Sequence, residues 1–174
     1  MGIQFETDYN METLTAMAKG LRKTVRKKRS RRVHIFAAVV LILGLLTILA
    51  TTAGGEPPGA SGVVTLLAML VVILVSLFED RLNAWFARKR LLPGTEHAAA
   101  TFEEDGYVSA TGVTESRFSY AQIVAVAETA RYFVFALSSH HTQAYDKRTI
   151  RGGSVEDFRA FIAEETGKLV ENIK

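Results

Sequence analysis

Between Arg32 and Arg81 this 174-residue chain has no lysine or arginine, and two long apolar runs fill the gap, Val33 to Thr52 and Val63 to Phe78. Just before the gap, nine basic residues crowd positions 19 to 32. A helix needs about 20 mostly apolar residues to cross about 30 Å of hydrocarbon. The first run has that length, and its one titratable group, His34, stands at the basic end. The second is shorter, but no charge interrupts Pro57 through Phe78. Each run holds twelve residues drawn from Leu, Ile, Val and Phe. At about −0.3 to −0.6 kcal/mol apiece, these favour insertion by roughly 4 to 7 kcal/mol per segment. A soluble core would need a large partner fold to cover helices apolar all round, and the rest of the chain is too small to supply it. The expectation is a transmembrane hairpin over 33–78, with spans 33–52 and 60–78 and an outside loop, 53–59.

A cleaved secretory signal would also begin with a basic region, but its apolar core runs only about 7 to 15 residues. Here the run is longer, about thirty residues precede it, and a second run follows closely, as in a hairpin. The flanks orient that hairpin. Lys19, Arg22, Lys23, Arg26, Lys27, Lys28, Arg29, Arg31 and Arg32 precede it; Arg81, Arg88, Lys89 and Arg90 follow it. The loop AGGEPPGASG carries one acid, Glu56, and no base. Positive residues mark the cytoplasmic side, so both termini are expected in the cytoplasm. Without cysteine, neither a disulfide framework nor a thiolate metal site is available.

Residues 96 to 174 hold twelve acids against eight bases, so the basicity belongs to the membrane flank. Arg26, Lys27, Lys28, Arg29, Arg31 and Arg32 form a juxtamembrane cluster suited to anionic headgroups, at about 1 kcal/mol per basic residue near the surface. It lacks interleaved aromatics and abuts a span, which argues against nucleic acid.

Residues 1–32 read as a short strand, IQFET, followed by an amphipathic basic helix. Asp8 is the expected cap, with Glu12 in the first turn. Met11, Leu14, Ala18, Leu21 and Val25 make one apolar stripe. The helix is expected to continue straight into the first span, and its stripe to pack either on the protein's own domain or on a partner. Residues 79–94 continue helically as EDRLNAWFARKR, with Trp85 and Phe86 placed for an interfacial aromatic belt, until Pro93-Gly94 breaks the helix.

From 95 to 174 the pattern is that of short strands. ATFEEDGYVSA reads as a hairpin around Asp105-Gly106, and SRFSY, QIVAVAE, RYFVFALS and HTQAYD continue the β character. Gly152-Gly153 ends the strands. Ser154 then caps a helix with Asp157 three residues on, its buried face being Val155, Phe158, Phe161 and Ile162. The fold class expected is α+β: a transmembrane hairpin plus a small antiparallel barrel or sheet closed by a C-terminal helix.

At this point the chain resembles the YcxB-like family of small bacterial membrane proteins. The resemblance rests on FETDYNMETL, on the paired spans and on FSYAQIVAVAETARYFVFAL, where Tyr120, Ile123, Glu128, Tyr132 and Phe133 stand at the family's positions. AYDKRTI adds Lys147 and Arg148, and SVEDFRAFI resembles the closing helix, so the likeness extends over nearly the full length. One departure is Ala144-Tyr145-Asp146, in place of a more apolar strand ending in proline. The resemblance implies a cytoplasmic domain similar to a pleckstrin-homology (PH) fold. It brings no catalytic residues.

No chemistry-bearing constellation emerges from the residues themselves. His140 and His141 are adjacent, and on a strand they would point to opposite faces, which disfavours a shared metal. Glu103, Glu104 and Asp105 fall at a turn, and Glu164-Glu165 on a helix surface. Ser138 and Ser139 near His140 lack a nucleophile motif and a third member, and Gly152-Gly153 lacks phosphate-loop spacing. No charge lies within either span to carry a proton path. The expectation is therefore a non-enzymatic interaction or scaffold module without cofactor or metal, acting at the inner membrane face. Its partners would be the bilayer and another membrane-associated protein or a second copy. The alternative is a structural or accessory subunit of a larger transport complex, packed through the hairpin. Lys147, Arg148 and Arg151 form the one basic cluster of the acidic domain, either presented to an anionic partner or an ordinary solvated loop.

Overall fold

The structure, a computed structural model, describes residues 2–53 and 59–173. Glu56, Pro57 and most of the expected outside loop lie outside the described residues. The chain divides into two compact units, Lys28–Leu82, and Met1–Lys27 together with Asn83–Lys174.

The 28–82 unit is a hairpin of two helices, α2 (Lys27–Thr52) and α3 (Ala60–Leu77). They run antiparallel: a Cβ on Gly44 would stand 2.8 Å from Met69 Sδ at mid-length. At one end, His34 Nε2 lies 3.9 Å from a Glu79 carboxylate oxygen. Their 26 and 18 residues rise about 39 and 27 Å, and both helices are long and apolar enough to cross a membrane. Most of their large side chains are uncovered, with Phe36 70% and Leu77 73% exposed.

The expected uninterrupted helix does not form, because α1 (Met11–Lys23) stops three residues short of α2. Thr24 caps it, its Oγ1 donating to the Gly20 carbonyl at 2.8 Å. The Arg26 amide reaches back to the Leu21 carbonyl, one residue beyond an α-helical bond. Arg26 itself is held by a loop of the domain, Nε donating to the Ser139 carbonyl at 2.7 Å and Nη2 lying 2.9 Å from His140 Nδ1. The start of α1 is also corrected. Strand β1 (Ile3–Asp8) includes Asp8, whose carboxylate meets His97 Nδ1 at 2.7 Å. Asn10 is the cap instead, accepting from the amides of Glu12 and Thr13.

After helix α4 (Glu79–Lys89) come β2 (His97–Phe102), β3 (Tyr107–Thr111), β4 (Glu115–Phe118), β5 (Ala125–Glu128), β6 (Tyr132–Ala136), β7 (Thr142–Asp146), α5 (Val155–Thr166) and β8 (Val170–Asn172). The first sheet is ordered β1-β2-β3-β4 and the second β7-β6-β5-β8. The N-terminal strand therefore does join the sheet, with Phe5 opposite Ala100. Between the sheets β1 meets the second layer through a bridge from Gln4 to Arg151 and a bond from the Asp146 amide to Thr7 Oγ1. The architecture is thus α+β, with two open four-stranded sheets rather than a closed barrel among the described residues. Strand β8 departs from the expected antiparallel scheme: it follows α5 and runs parallel to β5, pairing Val170 with Val126.

The second sheet is covered on both faces, which explains why every residue of Tyr-Phe-Val-Phe-Ala in β6 is buried. Phe133 and Phe135 face Phe5, Phe102, Tyr145 and α5 in one core. Tyr132 and Val134, pointing the other way as strand alternation requires, pack with Ala144 against Ala16 and Met17 of α1. That helix approaches so closely at Gly20 that an added Cβ would fall 2.7 Å from Val134 Cγ1. Leu14 and Leu21 of its stripe are buried too, while Met11, Ala18 and Val25 are only partly covered. Helix α5 has the expected Ser154–Asp157 capping box. Phe158 and Ile162 are fully buried, whereas Phe161 is only half-buried, edge-on to Tyr120.

Candidate functional site: an uncharged groove at the open end of the sheets

Strand register arranges the inner face of the first sheet into rows. At one end Ile3, Phe102, Tyr107 and Phe118 lie side by side across β1 to β4. The next row is Phe5, Ala100, Ser109 and Ser116, and beyond it Thr7, Ala98 and Thr111. On β3 and β4 the face that would fill a core thus switches from aromatic rings to hydroxyls. The sheets do not meet there, and a groove of about 330 Å³ remains, bounded opposite by Leu14, Met17 and Leu91 and by the start of β7. No Asp, Glu, Lys or Arg lines it.

Gln143 forms its floor. The side chain lies on the core face of β7, in a residue only 7% exposed. Its Oε1 accepts from both Tyr107 and Tyr145 hydroxyls, each at 2.7 Å. Burial pushes both phenols above their ordinary pKa, so they keep their protons. With Oε1 held between the two hydroxyls, the amide oxygen faces inward, and Nε2, which has no protein partner among the described residues, is left to the groove. Around it the hydroxyls of Ser109, Ser116 and Thr142 take no protein partner among the described residues. Tyr9, also at the wall, has its pKa pushed up to about 12 by burial. No fully buried side-chain polar atom among the described residues lacks a partner, so these groove groups are open to solvent.

Lys147, Arg148 and Arg151 lie apart from this groove, and each faces a different carboxylate. Lys147, its side chain 13% exposed, donates to Glu128 at 2.7 Å, and Arg159 closes a fork on the same carboxylate at 2.7 and 2.8 Å. These two cations hold the buried Glu128 down at a pKa of about 2, the Arg159 bonds contributing most. Arg148 and Arg131 converge on the buried Asp146, and Arg131 continues to Glu12 on α1. Arg151, exposed, lies 3.4 Å from Glu6. Of the juxtamembrane basics, Lys27, Lys28, Arg29, Arg31 and Arg32 form the exposed opening of α2, while Arg26 is taken by the Ser139–His140 loop. Trp85 and Phe86 are exposed on α4, stacked edge to face, with Lys89 Nζ 3.6 Å from the indole centroid.

His141 lines the groove and packs edge-on to Phe118, while the His140 ring meets Arg26. Arg117 gathers Glu103 and Asp105. No group of three or more His, Asp or Glu is placed to hold a metal among the described residues. The residues that carried the resemblance assemble into scaffold. Tyr120 donates to the carbonyls of Glu103 and Gly106, Ile123 is buried, and Glu128 pairs with Lys147. Sequence reasoning missed the groove. Its signal was there in YVSAT and ESRF, where alternate positions carry Tyr, Ser, Thr and Ser, Phe; only the β3–β4 register shows that those positions share one face.

Residues 102–162, from the end of β2 into α5, match the family model described as YcxB-like protein. The resemblance is shown over that stretch. No curated protein and no solved structure matches the chain.

Proposed function

We propose that this chain is a membrane-anchored, non-enzymatic binding module, with a PH-like domain held at the inner face of a bacterial cytoplasmic membrane. The observation that carries the anchoring is the exposure of apolar side chains along both α2 and α3. In water that surface is untenable for a monomer, and in a bilayer it costs nothing. The five basic residues that open α2 supply a positive flank, which favours cytoplasmic termini. Support for a PH-like domain comes from two four-stranded sheets with a helix, α5, in their shared core. Binding is supported by the groove, which combines apolar walls with a few convergent polar groups.

The native chain has no cysteine, so single cysteines report topology cleanly. Cysteines replacing Ser61 and Ser139, both exposed, should respond differently to a membrane-impermeant thiol reagent on intact cells. Position 61 is expected to label and 139 to be spared. Labelling of 139 alone overturns the orientation.

A further inference from the structure

We infer that the groove receives an uncharged peptide segment of a partner protein, two or three residues with a branched apolar side chain, through the amide nitrogen of Gln143 and the hydroxyls of Ser109, Ser116 and Thr142. This deepens the binding-module reading and rests on it.

Three observations carry the inference. First, no Asp, Glu, Lys or Arg lines the groove, so a carboxylate, phosphate or ammonium entering it would shed water with no permanently charged side chain to meet it. Second, Gln143 is more than nine-tenths buried, and its oxygen is occupied by two tyrosine protons, so Nε2 can only donate. The occupant must present an acceptor there. Hydroxyls both donate and accept, and a secondary amide is the neutral group that pairs a strong acceptor with a donor, as every peptide unit does. An ester offers no donor. Third, Leu14, Met17, Leu91 and Phe118 give the groove an apolar half. About 330 Å³ suits a ligand at the small end of known pockets, the size of one aliphatic side chain and its flanking peptide groups. Most of the walls come from the regular elements β3, β4, β7 and α1, with Tyr9, Leu91, Thr114 and His141 added from the segments between elements.

The test uses the full chain in mild detergent, labelled with ¹³C at the methionine methyls. Met17 lines the groove and Met69 belongs to the apolar hairpin, so one spectrum carries both reporter and control. N-acetyl-leucine N-methylamide should shift Met17 saturably and leave Met69 in place. The N-acetyl-leucine anion and the ester methyl 4-methylpentanoate should not shift Met17 saturably. Gln143→Leu should weaken binding about tenfold, the worth of one good hydrogen bond. Because Gln143 also satisfies two buried tyrosines, Ser109→Leu provides the second variant; it fills the groove from a half-buried strand position and should abolish the saturable shift. Equal response to the anion or the ester overturns the proposal, as does undiminished binding by Ser109→Leu or a shift shared equally by Met69. A silent Met17 alongside the expected labelling at positions 61 and 139 removes the peptide ligand and leaves the anchored module standing. Reversed labelling removes the anchoring whatever Met17 does.

Discussion

One face of one sheet shows two opposite designs within three rows. At the Ile3–Phe102–Tyr107–Phe118 end, Phe102 and Tyr107 meet rings of the second sheet, and Ile3 is fully buried in the same core. Phe102 alone lies within 6 Å, centroid to centroid, of Phe5, Tyr107, Phe135, Tyr145 and Phe158. One row on, Ser109 and Ser116 face the groove, and in the row after it so does Thr111. The strands are the same and the backbone bonds continue across both ends. What differs is whether a side chain spans the gap between the sheets. The comparison teaches that the aromatic end holds the sheets together and sets their separation, which leaves the hydroxyl end free of a packing duty.

If that division is right, substitutions at the two ends should differ by several kcal/mol. The largest effect is expected for Phe102→Ala, which removes a fully buried ring and leaves a cavity among five others. Such changes cost about 3 to 5 kcal/mol, measurable as a shift in the denaturant midpoint of the full chain in detergent. Phe161→Ala, at a half-buried ring, should cost about 1 to 2 kcal/mol by lost burial. An effect at Phe161 as large as that at Phe102 would mean the core extends further along α5 than the burial pattern indicates.

Next in size is the buried ion-pair cluster around Glu128. Glu128 has a folded pKa of about 2 against an ordinary value of 4.5, so its contribution is complete above about pH 4.5 and is lost as pH falls toward 2. The shift corresponds to stability on the order of 3 kcal/mol. Thermal unfolding of the parent should therefore weaken steeply over that window, and Glu128→Gln should flatten the dependence. A variant that tracks the parent's acid profile would place the acid-sensitive group elsewhere.

The two ends were unequally legible in the sequence. Alternation in IQFET, the Ser154–Asp157 box and the Gly152-Gly153 break are local signals, and each formed its expected element. The Asp8 cap failed because β1 pairing extends to Asp8↔His97, a long-range contact that outweighs a local preference and passes the cap to Asn10. The break at Thr24–Arg26 is equally non-local, because Arg26 is drawn to residues more than a hundred positions away. Strand β8 is three residues long and depends on a parallel pairing that no short pattern announces. Lys147 and Arg148 are adjacent in sequence, but only the fold shows that their side chains turn to different carboxylates. Most of the groove's polar residues are Ser and Thr, which carry no motif until register aligns Ser109 with Ser116.

The smallest effect, and the sharpest test of the contrast, lies at the open end. Ser109→Val removes a hydroxyl that bonds to no protein group among the described residues, so no hydrogen bond is lost. Valine also suits an extended strand better than serine. The expected change in stability is within about 0.5 kcal/mol in either direction. Tyr107→Phe, two residues back on the same strand and face, removes a bond to Gln143 and leaves that buried oxygen with one proton instead of two. It should cost about 1 kcal/mol. Both changes are single-group edits on β3, so their ratio isolates what the groove contributes to folding. A Ser109→Val variant that loses more stability than Tyr107→Phe would mean the hydroxyl row supports the fold. A neutral one leaves those hydroxyls unaccounted for by folding, which is the condition a binding surface must meet.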